Sequence, residues 1–146
     1  MTSGSAIGQI HNSVLLNETL QFLEPRSGGV YVDGTLGLGG HSEAILEKSG
    51  PAGTVVAFEW DESAIERAKI RLSAYHNRLR IIRRNFAEIA AGLDETGVTE
   101  VDGILVDIGL SSLQLDLGDR GFSFQRDEIL DMRMDNRQKM TAQTVL

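Results

Sequence analysis

Short apolar runs alternate with helix-length amphipathic stretches along this chain, a pattern that predicts a parallel β-sheet carrying helices on its faces. Four runs read as strands: one ending in Val30-Tyr31-Val32-Asp33, then Thr54 to Phe58, Leu79 to Arg83, and Gly103 to Val106. Each is short and mostly apolar, as strands covered on both faces are. Between them, Leu15 to Leu23 spaces Leu16, Leu20 and Leu23 along one helical face and stops before Pro25. Ser42 to Lys48 forms a second helix, which Ser42 helps to cap. Ser63 to Ala74 forms a third, with Ile65, Ala68 and Leu72 on one side, and Ala87 to Leu93 a fourth.

The periodicity is lost from Gly109 to Arg137, where Gly118, Asp119, Gly121, Ser123 and Asp127 give a loop composition. A loop of this length in a compact domain is usually functional. Thr141 to Leu146 reads as the opening of a helix that ends without a stop signal, so the chain is expected to be the front part of a longer fold. No candidate for a fifth strand precedes Leu146. The fourth strand is therefore expected to leave an open apolar edge, suited to self-association or to docking of a missing half.

Composition narrows the class of protein. At 146 residues, 41% apolar and 24% charged, the chain has the balance of one soluble globular domain. It has no cysteine, which excludes disulfides and thiolate-bound metals and agrees with a cytoplasmic location, and its three histidines are scattered. No apolar run is long enough to span a bilayer, so no membrane association is expected. The net charge of −7 weighs against nucleic-acid binding over the surface as a whole. Arg67, Lys69, Arg71, Arg78, Arg80, Arg83 and Arg84 nevertheless follow one another with no acid between them. A solvated helix end with its strand flanks explains most of that cluster, and a phosphate-facing patch is the alternative.

Candidate chemistry gathers at the strand ends. After the first strand comes Asp33-Gly34-Thr35-Leu36-Gly37-Leu38-Gly39-Gly40-His41, a glycine loop at the carboxyl edge of a sheet, where nucleotide-derived ligands bind. Its spacing is not the G-x-G-x-x-G of dinucleotide folds. An acid before the glycines repels a pyrophosphate but suits the ammonium of S-adenosylmethionine. A tight turn with no ligand is the bland alternative. Glu59, at the tip of the second strand, is placed to accept hydrogen bonds from a ribose diol, while Asp61 more plausibly caps the next helix. Phe86 follows the third strand, either flanking an adenine or packing in the core. Asp107 closes the fourth, where a carboxylate is costly unless paired or bound.

With those residues in place, the chain resembles the MraW/RsmH family of ribosomal RNA small-subunit methyltransferases. The likeness begins at His11-Asn12-Ser13-Val14-Leu15-Leu16 and runs through Tyr31 to Ser42. It resumes over Asp102 to Asp116, Arg120-Gly121-Phe122-Ser123-Phe124 and Leu130-Asp131-Met132-Arg133-Met134-Asp135. The resemblance implies a Rossmann-like class I α/β fold, of which this chain supplies the first half of the doubly wound parallel sheet. It implies an S-adenosylmethionine-binding part over residues 1–109 and a loop opening a helical insertion over 110–146. It also implies transfer of a methyl group to the N4 amine of a decoding-region cytosine in 16S rRNA of the small ribosomal subunit.

Carried over by position, the cofactor residues are Gly39, Gly40, His41, Glu59, Phe86, Asp107 and Gln114. Glu59 stands where the family commonly has aspartate, and Trp60 where it commonly has a basic residue. No catalytic base is named, although Asp107 or nearby carbonyls suit a contact with the amine. Two rivals remain at this level: a binding module without catalysis, and a nicotinamide-dependent oxidoreductase, which the glycine spacing and Asp33 disfavour.

Overall fold

The computed structural model describes residues 13–116 and 118–146; His11 and Asn12, where the resemblance opens, lie outside them. Four parallel strands, β1 (Val30–Asp33), β2 (Thr54–Phe58), β3 (Leu79–Ile82) and β4 (Gly103–Leu105), form one sheet in the order β3-β2-β1-β4. Val30 lies opposite Thr54, Val55 opposite Leu79, and Tyr31 opposite Gly103. Successive side chains along each strand point to opposite faces, and the two faces build two cores.

One face packs Tyr31, Val55 and Ala57 against helices α1 (Leu16–Leu23), α2 (Gly40–Lys48) and α3 (Glu62–Arg71). Leu20 and Leu23 of α1, Ile45 and Leu46 of α2, and Ala68 of α3 supply the contacts, with Leu72 just past α3. The opposite face packs Val32, Val56 and Phe58 against Ile89 and Leu93 of α4 (Ile89–Thr96). There α4 comes very close: a β-carbon on Gly92 would stand 2.3 Å from the Phe58 ring.

Because β2 and β3 are reached by helices on one face and β4 by the helix on the other, the winding reverses between β1 and β4. In an open parallel sheet such a reversal leaves a crevice outside the carboxyl ends of the strands. The glycine loop opens at that point.

Three expected elements differ in detail. Ser42 is not the cap of α2; the helix starts at Gly40 after Gly39, and Ser42 lies buried within its first turn. The segment expected from Ala87 is a short 3-10 turn, Phe86–Glu88, capped by Asn85 and then continued by α4 until Gly97. The stretch from Gly109 to Arg137, expected to be a loop, contains a short helix α5 (Ser112–Asp116). Ser111 starts it by accepting the Gln114 amide on both its carbonyl and its hydroxyl. The final helix α6 (Ala142–Val145) forms where its pattern predicts, with Thr141 accepting the Thr144 amide.

Strand β4 is an edge of the sheet, with Ile104 half-exposed on the same face as its partner Val32, and Val106 and Ile108 exposed beyond it. Among the described residues no helix is long and apolar enough to cross a membrane.

Candidate active site

The glycine loop is tied to both neighbouring strands by its own backbone. Gly34 donates its amide to the Leu105 carbonyl of β4 at 2.8 Å, and Leu36 donates to the Phe58 carbonyl of β2 at 3.0 Å. Thr35 adds a third link, its hydroxyl accepting the Asp107 amide at 2.7 Å. The loop is therefore held across the reversal point by the ends of β2 and β4.

Asp33 points into the fold. It is fully buried, accepting from the Ser42 hydroxyl at 2.7 Å and the Thr35 amide at 3.1 Å, so it shapes the loop and offers no exposed oxygen to the ammonium group suggested from sequence. Burial pushes its carboxyl above the usual range, against those two hydrogen bonds, which pull it down.

Gly39 and Gly40 are required by the protein itself. Gly39 has φ +84°, a left-handed conformation that a β-carbon penalises, and such a carbon would meet the Leu72 side chain at 2.8 Å. On Gly40 it would meet the Ser13 hydroxyl at 2.1 Å. Gly37 is different: φ is +52°, and a β-carbon there would find only the Thr35 carbonyl, at 3.9 Å, which leaves this glycine the open face of the loop. His41 is nearly buried, with its Nε2 2.9 Å from the Val14 carbonyl, so its ring is engaged by the segment before α1.

Glu59 follows β2 and reaches the loop directly. Its Oε2 accepts the Gly37 amide at 2.9 Å, and its Oε1 accepts the amides of Trp60 and Asp61, each at 3.0 Å. Burial pushes the Glu59 carboxyl upward, opposed by those three amides. A carboxylate offers about four acceptor positions, so one remains, on Oε2, for a ribose hydroxyl. The full diol that the sequence suggested would fit only if Gly37 gave way.

Phe86 lies outside both cores and is partly exposed, its Cβ 3.2 Å from where a β-carbon on Gly34 would sit. Asp107 is exposed at the tip of β4. A solvated carboxylate carries no burial penalty, so the cost argued for it from sequence does not arise; only its backbone amide is hydrogen-bonded among the described residues. Gln114 is buried, its Nε2 donating to Asp61 at 3.3 Å and its Oε1 accepting the Ser111 amide at 3.0 Å. The fold thus brings Gly39, Gly40, His41, Glu59, Phe86 and Asp107 to one edge of the sheet and links Gln114 to that edge through Asp61.

The basic run serves the protein. Arg71 pairs with Glu43, Arg78 donates to the carbonyls of Leu46 and Gly53, and Arg83 pairs with Glu62. Arg84 pairs with Glu88 and Glu95. Arg67 and Lys69 stay on exposed positions of α3. Sequence reasoning missed Arg120, which meets Asp61 at 2.6 Å; its place in the Arg120-Gly121-Phe122 motif was the available signal.

The profile of the MraW methylase family matches residues 8–146. The chain belongs to that family. Its relatives include the ribosomal RNA small subunit methyltransferase H of Desulfotalea psychrophila, 63% identical over 94% of this chain and 47% of that protein. The same-named protein of Geotalea uraniireducens is 54% identical over 86% of this chain and 40% of its own length. The chain thus spans about half the length of the curated relatives it matches.

Solved methyltransferase structures share the fold at lower identity. TrmN from Thermus thermophilus matches with TM-score 0.54 and 24% identity, covering 69% of this chain and 29% of that one. The C-terminal domain of precorrin-6Y C5,15-methyltransferase from Rhodobacter capsulatus matches with TM-score 0.54 and 22% identity, covering 73% and 54%. Both likenesses speak for the Rossmann-like sheet alone.

Proposed function

We propose that this chain is the cofactor-binding front of an S-adenosylmethionine-dependent methyltransferase acting on the N4 amine of a decoding-region cytosine in 16S rRNA. The small ribosomal subunit in the cytoplasm is the expected partner. Residues 1–109 carry most of the cofactor part, and residues 110–146 form a loop that opens a helical insertion. The observation that carries the reading is the Gly37 amide on Glu59, which joins the open face of the glycine loop to an acid with one acceptor position left.

The cofactor supplies a methyl group activated by its sulfonium. The residues of this chain bind and align it. Glu59 accepts a ribose hydroxyl, and the backbone of Gly39, Gly40 and His41 lines the loop beneath. Phe86 flanks the adenine, and Gln114 acts from behind Asp61. Asp107 stands exposed beside Thr35, where its carboxylate, or a neighbouring backbone carbonyl, accepts a hydrogen bond from the cytosine amine and favours the pyramidal, nucleophilic form. Holding donor and acceptor in line is the main catalytic contribution in such a displacement. Family membership favours a methyl donor over nicotinamide.

A second reading, an inactive cofactor-binding unit, is favoured for the 146-residue chain by the exposed flank of β4 at Ile104, Val106 and Ile108. Calorimetric titration with S-adenosylhomocysteine tests the first reading. Glu59→Ala is expected to weaken binding by about 1–3 kcal/mol, because a ribose hydroxyl loses its acceptor. Wild-type affinity in that variant removes Glu59 from the site. Turnover on small ribosomal subunits separates the two readings, and in the full-length protein Asp107→Asn should slow transfer.

A further inference from the structure

Asp61 is more than the cap of α3. Its Oδ1 accepts the Ser63 amide at 3.0 Å, which satisfies the helix end. Its Oδ2 accepts from Arg120 at 2.6 Å and Gln114 at 3.3 Å, and the side chain is 2% exposed. Its backbone amide donates to Glu59 at 3.0 Å. One residue therefore touches the candidate ribose acid with its main chain and the segment after β4 with its carboxylate.

Arg120 extends the link. Nη2 donates to the carbonyls of Arg133 at 2.8 Å and Met134 at 3.1 Å, and the guanidinium lies 5.4 Å from the centre of the Phe122 ring. The planar fork serves Asp61 and two carbonyls at once, a geometry a single ammonium cannot reproduce. Asn136 reinforces it, donating to Glu62 at 3.1 Å and accepting from Arg83 at 2.8 Å. The segment from Arg120 to Asn136 is thereby fastened beside the ends of β2 and β3. A cavity of about 220 Å³ lies between, lined in part by Asp61, Ser63, Arg120, Arg133 and Met134.

We propose that Arg120 is a positioning residue: through Asp61 and the carbonyls of Arg133 and Met134 it locks the segment after β4 onto the tip of β2, fixing Glu59 and Gln114 for the cofactor. The proposal rests on the ribose role of Glu59. A helix cap alone does not call for this arrangement, since Oδ1 already completes the cap and the buried Oδ2 is committed to residues of the distant segment.

Two variants of the full-length protein separate positioning from stability. Asp61→Asn keeps an acceptor for the Ser63 amide but removes the charge; Arg120→Lys keeps the charge but loses the fork. Each is expected to raise the Kd for S-adenosylhomocysteine about tenfold, as misplacement of binding groups does, with kcat at saturating cofactor within about twofold. The double variant should be no worse than about tenfold, because both changes break one link. Lowered melting temperatures with wild-type Kd in both single variants would reduce the pair to a structural tie and overturn the proposal. Weakened binding in Glu59→Ala beside wild-type binding in both variants overturns the positioning role alone. Wild-type binding in Glu59→Ala overturns the ribose reading, and with it the route assigned to Arg120.

Discussion

Ser42 donates its hydroxyl to Asp33 at 2.7 Å, and both side chains are fully buried where β1 turns into the glycine loop. Without that hydroxyl the buried carboxylate keeps only the Thr35 amide to offset its desolvation cost. Ser42→Ala should therefore lower folding stability by about 1–3 kcal/mol, measured by urea denaturation. Wild-type stability would mean that another donor replaces the hydroxyl.

The raised carboxyl of Glu59 gives cofactor binding a pH dependence. Burial is the first cause, so the folded value lies above the unfolded one; this group costs stability at neutral pH, and that cost is relieved as pH falls through the folded value. Binding runs the other way. Only the carboxylate keeps its full set of acceptors, so affinity for S-adenosylhomocysteine should begin to drop as pH is lowered from neutral while an ordinary glutamate is still ionised. Calorimetry across that range checks it, and a flat profile contradicts it.

Asp131 titrates in the opposite sense. The hydrogen bonds from the Arg133 guanidinium hold its carboxyl down to about 2. With the folded value below the unfolded one, its contribution to stability is present above the unfolded pKa and is lost as pH falls through about 2. An NMR titration should find that midpoint, and Arg133→Ala should return it toward the 3.8 of an unpaired aspartate.

The apolar flank of β4 predicts behaviour at high concentration. In the 146-residue chain, Ile104 is 51% exposed on an edge strand whose outer backbone pairs with no other strand among the described residues. Edge strands of this kind associate. Light scattering should detect oligomers, and Ile104→Lys should shift them toward monomer; a monodisperse wild-type chain would contradict the expectation.

What the sequence made legible follows from period and position. The apolar runs place β1 to β4 to within a residue, because strands of a helix-flanked parallel sheet are mostly apolar; β1 and β2 are buried at its centre, while Arg80 of β3 and Ile104 of β4 are exposed at its edges. The place of Glu59 at the tip of β2 was readable because it directly follows such a run. Asp33 was readable as important but not as buried, since only the packed structure shows Ser42 folding back onto it. Arg120 and Asp61 are 59 positions apart, and no local pattern encodes a pairing at that distance. Nor does composition reveal that Leu72 and Ser13 occupy the space beside Gly39 and Gly40.

The close approach of α4 at Gly92 reaches further than its own layer. The same helix carries Ile89, whose Cδ1 lies 3.2 Å from where a β-carbon on Gly34 would sit. Gly92 and Ile89 are adjacent turns of one rigid rod. The helix works as a shim: a side chain added at Gly92 would lift α4 from Phe58 and carry Ile89 away from Gly34, so the glycine loop is supported from behind the sheet.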